Sequence, residues 1–103
     1  MHLIEARVKI HNKPMTGLTF GHTNNELFSI GLDRKICHIE NYILTMKKTV
    51  DKNYDPVVMS YFKEFILVGT SGCQIRFFNP ETLLCRRILS ISGIPLVRNY
   101  YLF

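Results

Sequence analysis

The stretch LDRKICHIEN, residues 32–41, sets a polar turn before a short run in which Ile36 and Ile39 flank Cys37 and His38. Asp33 sits in the turn, an apolar/acidic pair, Ile39-Glu40, closes the run, and Asn41 follows with turn chemistry of its own. The β-branched residues suit a pleated surface, so KICHIE reads as a strand. The preceding ELFSIG, residues 26–31, has the same length and ends in Gly31. Together they read as a hairpin whose tight turn is built around Asp33.

On both sides of this hairpin strand follows strand. Upstream, HNKP leads into MTGLTF and then GHTNN, a turn rich in Gly and Asn. Downstream, YILTMKK is the one helical candidate, but it has no good cap and falls where the pattern needs another strand. The polar loop TVDKNYDP ends at Pro56, which holds Asp55 extended. The second half then runs VVMSYF, FILVGTSG, QIRFF, the turn NPET, LLCRRILSI and, after the break at Gly93, IPLVRNYYLF. At the amino end LIEARVKI alternates, with Ile4, Ala6, Val8 and Ile10 on one side and Glu5, Arg7 and Lys9 on the other. The chain reads as all-β.

The halves superpose with a period of about forty residues, that of four-stranded propeller blades. Pro14 matches Pro56 and Pro95, Leu27-Phe28 matches Ile66-Leu67, Ile36 matches Ile75, and Ile39 matches Phe78. The expected organisation is an outer strand of a preceding blade over 1–13, a first blade over 14–55, a second over 56–94, and the start of another over 95–103. Two such blades make an incomplete ring.

The same positions resemble the WD-repeat β-propeller family. In that family a His opens the repeat, an Asp occupies the turn between the second and third strands, and Trp-Asp ends the third. Here His11, Asp33 and Ile39-Glu40 stand at those places, and the second unit offers Asn53, Gly72 and Phe78-Asn79. The resemblance implies a structural His11–Asp33 hydrogen bond contributing about 1 to 3 kcal/mol in the first blade. It also implies that the second blade lacks this network and relies on apolar packing. HNKPMTGLTFG, LFSIGLDR and FILVGTSGCQIRFFNPETLLCRRIL are similar, more narrowly, to WD-repeat proteins of cilia and flagella in the calmodulin- and spoke-associated complex at the base of the radial spoke. That likeness spans residues 10 to 92. It implies a scaffold of the axonemal cytoskeleton without enzyme activity. Its partners would be axonemal and radial-spoke proteins, blades from another chain, a calmodulin-containing complex and the microtubule doublet. A chain of this size is then a fragment or a short subunit docked against other blades.

Composition and motifs narrow the alternatives. At 103 residues with 47% hydrophobic and 20% charged side chains there is room for one modest core. The net charge of +5 is spread along the chain rather than gathered into a basic arm. The pairs Arg34-Lys35, Lys47-Lys48 and Arg86-Arg87 read as solvated strand ends that block edge pairing. Three widely spaced cysteines, Cys37, Cys73 and Cys85, form neither a closed disulfide set nor a CxxC pair, which suits a reducing compartment. The first ten residues are too charged for a signal peptide and too short for a membrane span.

His2, His22 and His38 are not at ligand spacing, so neither metal nor cofactor is expected. No GxSxG elbow surrounds any serine, and GTSG, residues 69–72, lacks the Lys and helix of a phosphate loop. Phe77-Phe78 and Tyr100-Tyr101 are adjacent pairs, so in a strand their members point to opposite faces. Two further readings stand beside the axonemal one: a WD-repeat segment scaffolding another cytosolic complex, and a basic all-β RNA-binding domain. The second lacks aromatic residues interleaved with basic ones on one strand face.

Overall fold

The computed structural model describes residues 9–23 and 25–91 of the chain. Eight strands follow one another: β1 (Met15–Phe20), β2 (Glu26–Gly31), β3 (Lys35–Glu40), β4 (Ile43–Thr49), β5 (Pro56–Phe62), β6 (Phe65–Thr70), β7 (Gln74–Phe78) and β8 (Cys85–Ser90). They form two four-stranded antiparallel meanders, β1-β2-β3-β4 and β5-β6-β7-β8. The two sheets are not closed into a ring. The outer strand expected over 1–13 falls largely outside the described residues, and the start of a further blade expected at 95–103 falls wholly outside them.

Turn chemistry sets the strand ends. YILTMKK is strand β4 but for its Tyr, because Asn41 and Tyr42 form the two-residue turn of the β3–β4 hairpin with φ of 53° and 69°. Both central residues have positive φ, as the hairpin turn that follows the right-handed twist requires. In the β2–β3 turn Arg34 takes φ 64°, and its N–H donates to the Gly31 carbonyl. Within NPET the Asn79 side-chain oxygen accepts from the Glu81 and Thr82 amides, a local fold that keeps this segment out of the strands. LLCRRILSI, expected to be strand throughout, therefore starts pairing only at Cys85. Leu83, at φ 57°, instead turns its side chain into the core at 2% exposure.

The irregularities repeat as well as the strands. Pairing shifts between Met15 and Gly17 in the first sheet and between Pro56 and Val58 in the second. It shifts again between His38 and Ile39 and between Phe77 and Phe78. Such bulges bend and twist the strand that carries them, so both meanders acquire the same shape.

The core lies between the sheets. Phe28, Ile30 and Ile36 of the first sheet and Ile66, Val68 and Phe78 of the second are buried together with Val50 and Leu83, flanked by Met46, Met59 and Tyr61. Each such Phe or Ile withdrawn from water stabilises by about 1.5–3 kcal/mol. Strand β5 packs against β1 and β2 to make this joint. Gly17 makes the approach possible, because a Cβ there would meet Ile30 Cγ1 at 2.8 Å and Met59 Cβ at 3.1 Å. The Tyr61 ring stacks 6.1 Å from Phe28, and the Thr16 hydroxyl donates to the Pro56 carbonyl at 3.0 Å. Phe78 is buried while its neighbour Phe77 faces away from the joint, edge-on to Phe65 at 6.0 Å.

Candidate functional site

The polar groups set into the first blade come from the loop before β1, from β2 and from the turn after it. His11 Nδ1 donates to Asp33 Oδ1 at 3.0 Å, and its Nε2 lies 2.8 Å from the Ser29 hydroxyl. With the ring proton committed to the carboxylate, Nε2 accepts and Ser29 donates. Asp33 also takes the Asn12 and Lys35 amides, which ties the turn to the incoming loop. Burial pushes the Asp33 carboxyl up, but the bonds from His11, Asn12 and Lys35 outweigh it and hold the group below its ordinary value. Gly31 is required beside this pair, since a Cβ would lie 2.9 Å from His11 Nδ1 and 3.0 Å from Asp33 Oδ1.

Ser29, His11 and Asp33 have the bonding order of a hydrolase triad. Ser29 is fully buried, however, beneath strand pairing with Cys37, so no substrate carbonyl reaches its oxygen. Burial likewise raises the Cys37 thiol to about 11, which removes it as a nucleophile. Ile39, where the family pattern has Trp, is 5% exposed and carries no donor for Ser29, and Glu40 is exposed beside it. The chemistry of the cluster is that of a fastening.

The second blade is fastened differently, which corrects the expectation that it relies on apolar packing. Gly72 stands where Asp33 stands in the first blade, and the Tyr54 ring lies over it, so that a Cβ would meet ring carbons at 2.7 Å. Asn53 makes no side-chain pairing like that of His11; its amide donates to Asp51 Oδ1 at 2.7 Å, as does that of Tyr54 at 3.2 Å. Asp51 is buried, and its Oδ2 lies 2.8 Å from Arg76 Nη2, in contact as an ion pair although not aligned as a hydrogen bond. Burial pushes Asp51 up, and the two amides and the arginine charges bring it below its ordinary value. Phe78 fills the Trp position from the core side, and Asn79 shapes the turn after it.

Three of these groups carry little signal of their role in the sequence. Ser29 is found only by noticing that it lies in the strand ahead of Asp33 on the face that His11 reaches. Arg76 is marked by its place among apolar neighbours in QIRFF, and Asp51 by the loop it opens. His38 is packed in the strand, 8% exposed, with Nε2 2.7 Å from Glu26 Oε2 and Nδ1 bonded to the Thr45 hydroxyl. It braces β2, β3 and β4 against the Phe28 ring at 4.8 Å.

The faces of the two sheets that look away from the joint carry exposed apolar side chains. On the first sheet these are Leu18 (54% exposed) and Phe20 (60%); on the second they include Val58 (58%), Phe62 (58%) and Leu89 (49%). A cleft of about 670 Å³ opens between the sheets at their β1–β2 and β5–β6 ends, lined by Glu26, Glu40, Lys63 and Glu64 among others. Among the described residues no group of three His, Cys, Asp or Glu side chains is placed to hold a metal ion. Nor is any helix there long and apolar enough to cross a membrane.

Two meanders with matched bulges, packed through their inner strands, are WD-repeat-like β-propeller blades. The WD40 domain of Neurospora crassa Pan2 superposes with a TM-score of 0.60 at 11% identity, over 74% of this chain and 24% of that one. Hsv2 of Kluyvelomyces marxianus gives 0.55 at 8% identity, over 80% and 26%. The computationally designed protein Ika4 gives 0.66 at 13% identity, over 82% and 52%. In sequence the chain is similar to cilia- and flagella-associated protein 251 of Mus musculus, 32% identical over 101 residues, an alignment that takes in 82% of this chain. The chain spans 8% of the length of that relative. No protein-family profile matches it.

Proposed function

We propose that the chain is a non-catalytic scaffold segment of the ciliary or flagellar axoneme, two blades that complete or dock onto a β-propeller. The observation that carries the scaffold reading is the pair of apolar sheet faces looking away from the joint, with Leu18 and Phe20 on one and Val58, Phe62 and Leu89 on the other. Exposed apolar surface of this kind marks an interaction site, and a sheet face suits another sheet as its neighbour. The ciliary assignment rests on the likeness to the mouse protein, and its finer form is association with radial-spoke proteins and a calmodulin-containing complex beside the microtubule doublet. Asp33, His11 and Ser29, together with Asp51 and Arg76, hold the blades in shape and take no part in chemistry.

The test is fractionation of cilia. The chain is expected to stay with axonemes through high-salt extraction, and cross-linking followed by mass spectrometry is expected to join it to spoke-base proteins. Its release with the soluble fraction, without cross-links to any cytoskeletal protein, contradicts the axonemal assignment.

A further inference from the structure

We infer that the two outward faces are the complementary halves of one joint, so that copies of this chain stack head to tail and close a propeller ring. This deepens the scaffold reading by naming a partner, a second copy, and rests on it. The two sheets correspond position by position. In the first sheet Gly17 pairs with Ile30, Ile30 with Ile36 and Phe28 with His38. In the second, Val58 pairs with Gly69, Gly69 with Ile75 and Leu67 with Phe77. Gly17, Ile30, Ile36, Phe28 and His38 form the face that the first sheet lays against the second. Val58, Gly69, Ile75, Leu67 and Phe77 occupy the same places on the second sheet, where they face outward.

The other half of the joint corresponds in the same way. Met59 and Tyr61, which pair with Val68 and Ile66, are the inner-strand residues with which the second sheet meets the first. Their counterparts on the first sheet are Leu18 and Phe20, which pair with Ser29 and Leu27 and stand 54% and 60% exposed. The described residues of each chain therefore present outwardly both surfaces that they join internally. A second copy brings the Leu18 and Phe20 face to the Val58 and Leu67 face, as Met59 and Tyr61 already meet Gly17 and Phe28; the bare and the bulky position change places there, the Val58 side chain lying over Gly69 as Ile30 lies over Gly17. Such a contact is heterologous, and repeating it closes a ring when the rotation per blade divides the circle. Propellers close with about four to eight blades, so a ring to which each copy lends the two described blades holds about two to four copies.

The mass of the purified chain, followed by light scattering over a roughly hundredfold range of concentration, tests this by mass action. Wild type is expected to form a closed oligomer of two to four copies. Leu18→Glu removes one face and Val58→Arg the other, so each variant alone is expected to be monomeric. Mixed in equal amounts, they are expected to give a heterodimer, because each retains the face that the other has lost. Circular dichroism checks that both keep their strands, and Phe20→Glu or Phe62→Arg replaces a variant that does not. A wild type that is monomeric throughout, or a mixture that stays monomeric, overturns the inference. A monomeric chain that still remains on salt-washed axonemes overturns self-assembly and leaves the scaffold reading standing. A ring-forming chain absent from axonemes does the reverse.

Discussion

At the scale of single residues, the polar side chains act as fastenings, and their loss should be read in stability. Asp33→Ala leaves the His11 Nδ1 donor and the Asn12 and Lys35 amides without their acceptor. It is expected to lower the unfolding free energy in urea by about 1–3 kcal/mol. Asp51 supplies a pH dependence. Its folded pKa lies below the ordinary 3.8, so its contribution is fully present above that value and is lost as the pH falls through the folded pKa. The stability difference between wild type and Asp51→Asn should therefore hold at neutral pH and vanish in an acid titration below pH 3.8. Cys73 and Cys85, both exposed, should alkylate at once at about pH 8, whereas Cys37, buried and raised to about 11, should react only on unfolding. The place of Asp33 was legible from its turn. Ser29 and Arg76 were not, because a lone polar residue in a strand reveals nothing of its face until the register is known.

At the scale of elements, the strands were legible because each is short, β-branched or aromatic, and closed by turn residues. Their ends were less so where a side chain captures the backbone. Asn79 folds NPET onto itself and Leu83 takes a left-handed turn, which delays β8 to Cys85. Sequence periodicity has no signal for such a capture. The β3–β4 turn offers a test, since Tyr42 holds φ 69° with its side chain 74% exposed. Tyr42→Gly makes the favoured Asn-Gly turn and removes a left-handed penalty of about 1 kcal/mol. Its melting temperature is expected to rise, and a fall would show that the Tyr42 ring has a contact that matters more than its backbone.

At the scale of the whole molecule, the repeat foretold two equivalent sheets but not how closely they meet. That depends on Gly17, whose missing side chain lets Met59 approach Ile30. Gly17→Ala wedges the joint and is expected to cost about 1–3 kcal/mol, measured by denaturant unfolding. The second sheet has the same fold with different fastenings, an Asp51–Arg76 pair and a Tyr54 ring over Gly72, because a blade needs its turn tied down more than it needs one particular set of groups. On this reading the two blades leave outward faces that need a neighbouring sheet. Amide hydrogen exchange on the dilute, monomeric chain tests it most directly. Slow exchange is predicted in β2, β3, β6 and β7, with fast exchange in β8, whose side chains are all exposed. Strong and uniform protection of all eight strands in the monomer would contradict the account.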